Sequence, residues 1–196
     1  HLLRRLAKST VASVHKCATA LDATPAMVYL AALDATLARL SGTPDIPVGV
    51  SLANRGTLER ETMVGFLVNV VVVRVDVTPT QTFAELLQQV RARSIEAYEH
   101  QELPFDRVAT ALAKGRGLGH APLFQVNFVY EEARPMPSLA ALTIAPVHVE
   151  THTARFDLAF ALQPDDDGLA LTVEYNEDIL EPATAAHITA MFEHAV

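Results

Sequence analysis

Residues 68–77 read Val-Asn-Val-Val-Val-Val-Arg-Val-Asp-Val, and no other stretch limits the fold as strongly. Valine branches at Cβ, which crowds a helix and suits a pleated strand. A nearly continuous valine run is typical of a strand covered on both faces. The run therefore predicts a strand over Val68–Val77, central in its sheet. It falls far short of the roughly 20 apolar residues a membrane-spanning helix needs.

The remaining pattern supplies helices and further strands. Thr24 and Pro25 suit a helix start, as cap and first residue. Met27, Leu30, Leu33, Leu37 and Leu40 then recur at helical spacing up to Gly42. Leu2–Leu21 predicts a weaker, earlier helix. Thr82 and Glu85 form a capping box before Phe83, Leu86, Leu87, Val90 and Ala97. Pro104 opens a short helix ending near Ala113, and Pro182–Ala195 forms the last one. Strands are predicted at Ile46–Leu52, Phe124–Tyr130, Leu142–Val149, Phe156–Leu162 and Leu169–Tyr175. Asp167-Gly168 marks a hairpin between the last two. Interleaved helices and strands imply an α/β fold, a two-layer sandwich of one mixed sheet packed against helices.

Composition narrows the classes. A chain of 196 residues, 50% hydrophobic, can bury the core of about one domain. Its net charge of −8, without a basic stripe, argues against nucleic acid, whose phosphates need clustered Lys and Arg. Cys17 is the one cysteine, so no internal disulfide can form, which fits a reducing, cytoplasmic compartment. Among Val11, Val14 and Ala18 it reads as a small core residue. Lys8, Ser9 and Thr10 interrupt any signal-peptide core. Because the chain starts at His1, it reads as a piece of something longer.

The usual catalytic signatures fail. His148 and His152 are four apart, but on a strand that spacing is about 13 Å, and no third ligand is near, so no metal is expected. Gly115-Arg116-Gly117-Leu118-Gly119 lacks the spacing of a phosphate loop and reads as a flexible loop. There is no G-x-S-x-G nucleophile elbow. On chemistry alone the reading ends at a soluble α/β domain.

Three segments in order carry a resemblance. Val64-Gly65-Phe66-Leu67-Val68-Asn69, running on to Arg74, resembles G-x-F-V-N-T…R. His100-Gln101-Glu102-Leu103-Pro104-Phe105-Asp106 resembles H-Q-D-x-P-F-E. Arg116 to Leu123 resembles R-D-x-S-R-N-P-L poorly, keeping Arg116, Pro122 and Leu123. Gly49–Arg55, Phe124-Gln125-Val126, Phe156-Asp157-Leu158 and Glu174-Tyr175-Asn176 add support. Together these resemble the later motifs of nonribosomal peptide synthetase condensation domains, over nearly the whole chain.

The resemblance implies one lobe, the carboxy-terminal one, of a fold like chloramphenicol acetyltransferase. Two such lobes form a V with a tunnel between them. Peptidyl carrier proteins present donor and acceptor thioesters on phosphopantetheine arms, and an amide forms. No permanently bound cofactor is implied. The implied partners are a missing amino-terminal lobe, carrier proteins and an adjacent adenylation domain. The catalytic H-H-x-x-x-D-G motif belongs to the amino-terminal lobe, and here no two of the eight histidines are adjacent. This chain alone is therefore expected to be inactive. Degenerate family members recruit partner proteins, and epimerisation and heterocyclisation relatives share the lobe design.

Individual residues divide between tunnel and scaffold. Ser51, Asn54, Arg55 and Asn69 are the candidates for lining the tunnel. Pro47, Gly49 and Ser51 alternate with bulky Val48, Val50 and Leu52, which leaves room for a thin arm or, equally, for a packed helix. Asn69 in a valine strand needs hydrogen-bond partners, and a neighbouring loop is the simpler source. Gly65, Arg74, His100, Gln101, Pro104 and Phe105 are the structural members of the motifs. Arg74 is expected to pair with a carboxylate, and the His100 imidazole to bond helix-terminal carbonyls. Arg116 and His120 belong to the glycine-rich loop.

Overall fold

A computed structural model describes residues 1–112, 123–131, 142, 144, 147, 153–165 and 167–196. The predicted strand Leu142–Val149 falls mostly outside the described residues, as do Arg116, His120, Pro122, His148 and His152.

The chain opens with strand β1 (Leu2–Ala7) and helix α1 (Lys8–Ala20). This corrects the expected single helix over Leu2–Leu21. Leu-Leu-Arg-Arg-Leu-Ala has helix-forming composition, but it pairs antiparallel with a strand near the end of the chain, Leu2 opposite Val173 and Ala7 opposite Gly168. A long-range partner outweighs a weak local preference. Helix α2 (Pro25–Ser41) begins as expected: Thr24 Oγ1 accepts from the Met27 amide, and Gly42 ends the helix at φ 69°. Strand β2 (Asp45–Leu52) leads through a turn to the four-residue helix α3 (Leu58–Glu61), which local spacing does not announce. Strand β3 (Asn69–Asp76), helix α4 (Phe83–Glu99) with its reciprocal Thr82–Glu85 capping box, and helix α5 (Phe105–Leu112) follow. Strand β4 (Val126–Tyr130), the hairpin β5 (Leu158–Asp165) and β6 (Gly168–Tyr175), and helix α6 (Pro182–Ala195) complete the described chain.

The six strands form one mixed sheet in the order β1-β6-β5-β4-β2-β3. Strands β2, β4 and β5 run parallel and the other pairings are antiparallel. Among the described strands the valine strand β3 thus lies at an edge, which corrects its expected central place. Its valines are not all equivalent: Val71, Val73 and Val75 are buried, while Val70 and Val72 are half-buried and Arg74 and Asp76 exposed. One face alone is fully covered, and the alternation is hidden because valine stands on both faces.

Register explains the core. Val71, Val50, Phe128, Phe160 and Val173 stand in one row across the sheet, and Val73, Val48, Val126, Leu158 and Tyr175 in the next. Nearly all of these side chains are buried beneath the helices. Helix α2 contacts α1, α4, α6 and β2, and Met27 to Asp34 are buried without a break. Cys17 packs half-buried at the margin of this core. The opposite face has different material. Its middle row is Val72, Gly49, Asn127, Ala159 and Glu174. Among the described residues no helix is long and apolar enough to cross a membrane.

Candidate functional site

The candidate residues gather at one end of β2 and β3. The ladder between parallel strands β2 and β4 covers only Val48–Val50 against Val126–Phe128. Beyond it β2 continues to Leu52 on β3, and β4 continues to Tyr130 on β5. The two strands therefore part, and Ser51 and Val129 stand on the open side of the split. Ser51 Oγ donates to Asn127 Oδ1 at 3.2 Å, and Asn127 is buried. Sequence reasoning missed Asn127, although it interrupts an apolar strand just as Asn69 does.

Gly49 lies one step back on the same face. A Cβ there would come within 2.3 Å of the Phe124 ring. The small residue thus accommodates an aromatic ring, where a helix was one expectation. Phe124 in turn meets Phe105 edge-on at 5.3 Å and Phe156 at 5.5 Å between ring centres. These three rings fasten α5 to the face of the sheet that the core helices leave uncovered.

After Leu52 the backbone turns through Asn54, which takes the left-handed conformation at φ 52° that asparagine tolerates. Asn54 Oδ1 accepts from Arg60 Nη1 at 3.1 Å. Arg55 folds back over the following loop. Its Nη1 donates to the Arg60 and Met63 carbonyls, both at 2.7 Å, and its Nη2 to the Gly65 carbonyl at 3.1 Å. Arg60 also reaches Glu102 at 3.2 Å, tying this loop to the turn between α4 and α5.

Asn69 secures that turn from the other side. Its Nδ2 donates to the carbonyls of Gln101 at 2.7 Å and Leu103 at 2.8 Å, and its Oδ1 accepts from the Phe105 amide at 3.1 Å. One side chain thus satisfies three main-chain groups on either side of Pro104. His100 caps α4 through its amide, which donates to the Ala97 and Tyr98 carbonyls. Its side chain borders a cavity of about 590 Å³ with Val72, Leu103, Phe105 and Val108. Arg74 lies towards the other end of β3. It grips Asp45 with two bonds of 2.6 Å on the exposed surface and holds that carboxyl below its ordinary range. The two motif segments therefore meet in space, with Arg74 apart from the Asn69 and Arg55 clusters.

Comparison with known proteins bears on this arrangement. The Condensation domain family matches residues 1–196. The chain belongs to the condensation domain family. The chain is 39% identical over 176 residues to the isonitrile lipopeptide synthase of Mycobacterium tuberculosis (strain ATCC 25618 / H37Rv), a match that takes in 86% of the chain and 7% of the relative. It is 38% identical over 164 residues to a probable non-canonical nonribosomal peptide synthetase of Salinispora arenicola (strain CNS-205), covering 83% of the chain and 2% of that protein. This condensation-domain chain thus spans under a tenth of these curated relatives.

Among solved structures, the condensation domain of the monacolin K polyketide synthase MokA superposes with a TM-score of 0.86 at 23% identity, over 99% of this chain and 45% of that one. The X-domain in its complex with OxyB from teicoplanin biosynthesis gives 0.80 at 29% identity, over 98% and 44%. The mixed sheet with its helices is accordingly the fold of condensation domains. Among the described residues of this condensation-domain chain, no group of three or more His, Cys, Asp or Glu side chains stands where it could hold a metal ion.

Proposed function

We propose that this chain is the carboxy-terminal lobe of an amide-forming condensation domain in a cytoplasmic nonribosomal peptide synthetase, and that it supplies one wall of the substrate tunnel. The observation that carries this reading is the split between β2 and β4, with Ser51 at its mouth. Strands that part in mid-sheet leave main-chain groups free to bond a ligand. Small Ser51, Ala159 and Ala161 keep that face low enough for a slender arm beside the Phe124 ring that covers Gly49.

In this reading two carrier proteins bring thioesters on phosphopantetheine arms. The acceptor amine attacks the donor thioester carbonyl; the C–N bond forms, the C–S bond breaks and the donor thiol leaves. The amine proton passes to an imidazole of an H-H-x-x-x-D-G motif outside this chain, where acid–base chemistry requires it, and from there to the departing thiolate. The amino-terminal lobe and an adjacent adenylation domain complete the set of partners. Asn54, Arg55 and Asn69 shape the tunnel mouth by holding its loops.

The test is Ser51→Phe in the intact domain. Amide formation from charged carrier proteins should fall strongly while the melting temperature stays near wild type. Full activity, or an unfolded protein, would remove Ser51 from the tunnel. The chain on its own, mixed with both charged carriers, should give no product above background.

A second reading is a non-catalytic recruitment module. Its support is the 29% identity to an X-domain solved in complex with OxyB. A degraded H-H-x-x-x-D-G in the segment preceding His1 would favour recruitment, and an intact one would favour catalysis.

A further inference from the structure

Helices α2 and α6 touch over the core, yet a recess of about 970 Å³ remains beside their contact, with residues 77–81 as its third wall. Its cause is side-chain size. Helix α2 lines it with Ala35, Ala38 and Arg39, and α6 with His187, Ala190, Met191 and His194. Both sets follow helical spacing, so each is one stripe. Alanine at 35, 38 and 190 leaves volume that larger side chains would fill. Two features give the recess a chemical preference. Arg39, His187 and His194 border it and no carboxylate does, on a chain with 23 acidic residues against 15 Lys and Arg. Among the described residues these three side chains have no ion-pair or hydrogen-bond partner. Arg39 and His194 stand in last helical turns, where a cation complements the helix dipole, but His187 lies mid-helix and owes nothing to it. The second feature is the kind of apolar surface. None of the large exposed apolar side chains of the described residues lines the recess. Its apolar wall is alanine with half-buried Val77 and Met191, which suits a slender tail and lacks the protruding anchors of a protein–protein seat.

We propose that this recess binds a small amphipathic carboxylate, its acyl chain lying between Ala38 and Ala190 and its headgroup held by Arg39 with the imidazoles. Arg39 sets the sign of the ligand: a guanidinium offers only donors and pairs with a carboxylate through two parallel bonds. Each imidazole can add one N–H donor. The α6 stripe from His187 to His194 is about 10 Å long, the reach of a medium acyl chain. The recess belongs to the helix-covered side of the sheet, where Phe192 of α6 meets Phe160, and the β2–β4 split lies elsewhere. The inference therefore does not depend on the tunnel reading.

Photoaffinity labelling of the intact condensation domain tests this without depending on activity. The probe is decanoate carrying a diazirine on its chain, used below its micelle concentration. Irradiation and peptide mapping should place the label within residues 35–39 or 187–195. Plain decanoate should protect those positions, and decyltrimethylammonium, with the same tail and the opposite charge, should not. Arg39→Gln, at an exposed position, should weaken decanoate about tenfold, the loss of one charge-assisted contact. Ala190→Phe, also at an exposed position, fills the recess and should abolish the label there while the melting temperature stays near wild type. Label confined to other positions, equal protection by the cation, or an unchanged label in Ala190→Phe would each overturn the proposal. So would an unlabelled wild type whose Ala190→Phe variant melts lower, because another segment of the intact domain would then already fill the recess.

Discussion

The two faces of the sheet are made from alternate residues of the same strands, yet they have opposite chemistry. Beneath the helices stand Val71, Val50, Phe128, Phe160 and Val173, all buried. On the other side stand Val72, Gly49, Asn127, Ala159 and Glu174, of which Gly49 and Asn127 are buried and the others half-covered. The first face gives the chain its core, and the second is more sparsely covered. A two-residue period lets one strand serve both ends because each residue answers to only one face. The difference teaches that the candidate site here is a region of small and polar side chains beside one cluster of rings, not a cluster of reactive side chains.

Substitutions can break or sharpen that contrast. The largest loss is expected from Phe160→Ala, which empties a wholly buried ring that meets Phe192 at 5.1 Å. It should cost about 3–5 kcal/mol in chemical denaturation. Gly49→Ala is a smaller insult on the opposite face. Its methyl group meets the Phe124 ring, and the cost should be about 1–3 kcal/mol. A cost as large as that of Phe160→Ala would mean that the second face is packed as tightly as the first. Arg74→Ala, at an exposed ion pair on the open side, should leave the denaturation midpoint nearly unchanged.

Acidity tests the helix face separately. Asp34 lies fully buried on α2 without a hydrogen-bond partner, and burial pushes its carboxyl well above the ordinary range. The folded state therefore favours the neutral acid. Its relative stability is fully present below the unfolded value of 3.8 and is lost as pH rises through the higher folded value. Asp34→Asn removes the ionisation, so the variant should gain on wild type as pH rises from 5 to 8 in paired denaturation curves. An equal gap at both values would show that Asp34 is not buried as described.

Features whose cause is local were legible in the sequence. The Thr82–Glu85 capping box, the Thr24 cap with Gly42, and the hairpin ending in Asp167-Gly168 all stand where spacing placed them. Features set by distant partners were not. Leu2–Ala7 is a strand because β6 offers it an edge. The valine strand looked central because Val70 and Val72 disguise a half-open face. At the site, the need of Asn69 for partners was readable, but the three groups it serves lie more than thirty residues away. The bracing by Arg55 was hidden because its acceptors are main-chain carbonyls, which any residue provides.

The pairing of β1 with β6 has a consequence for how such a chain is made and recombined. Ribosomes emit the amino-terminal end first, so β1 must wait for nearly the entire chain before its neighbour exists. Contacts so distant in sequence slow the search for the native state. An engineer exchanging this segment between condensation domains faces the same geometry in another form. A junction placed after Ala7 would leave the host's first strand to pair with the donor's last hairpin, including the Arg5–Asp165 ion pair. A junction before Leu2 moves both partners together and preserves the edge.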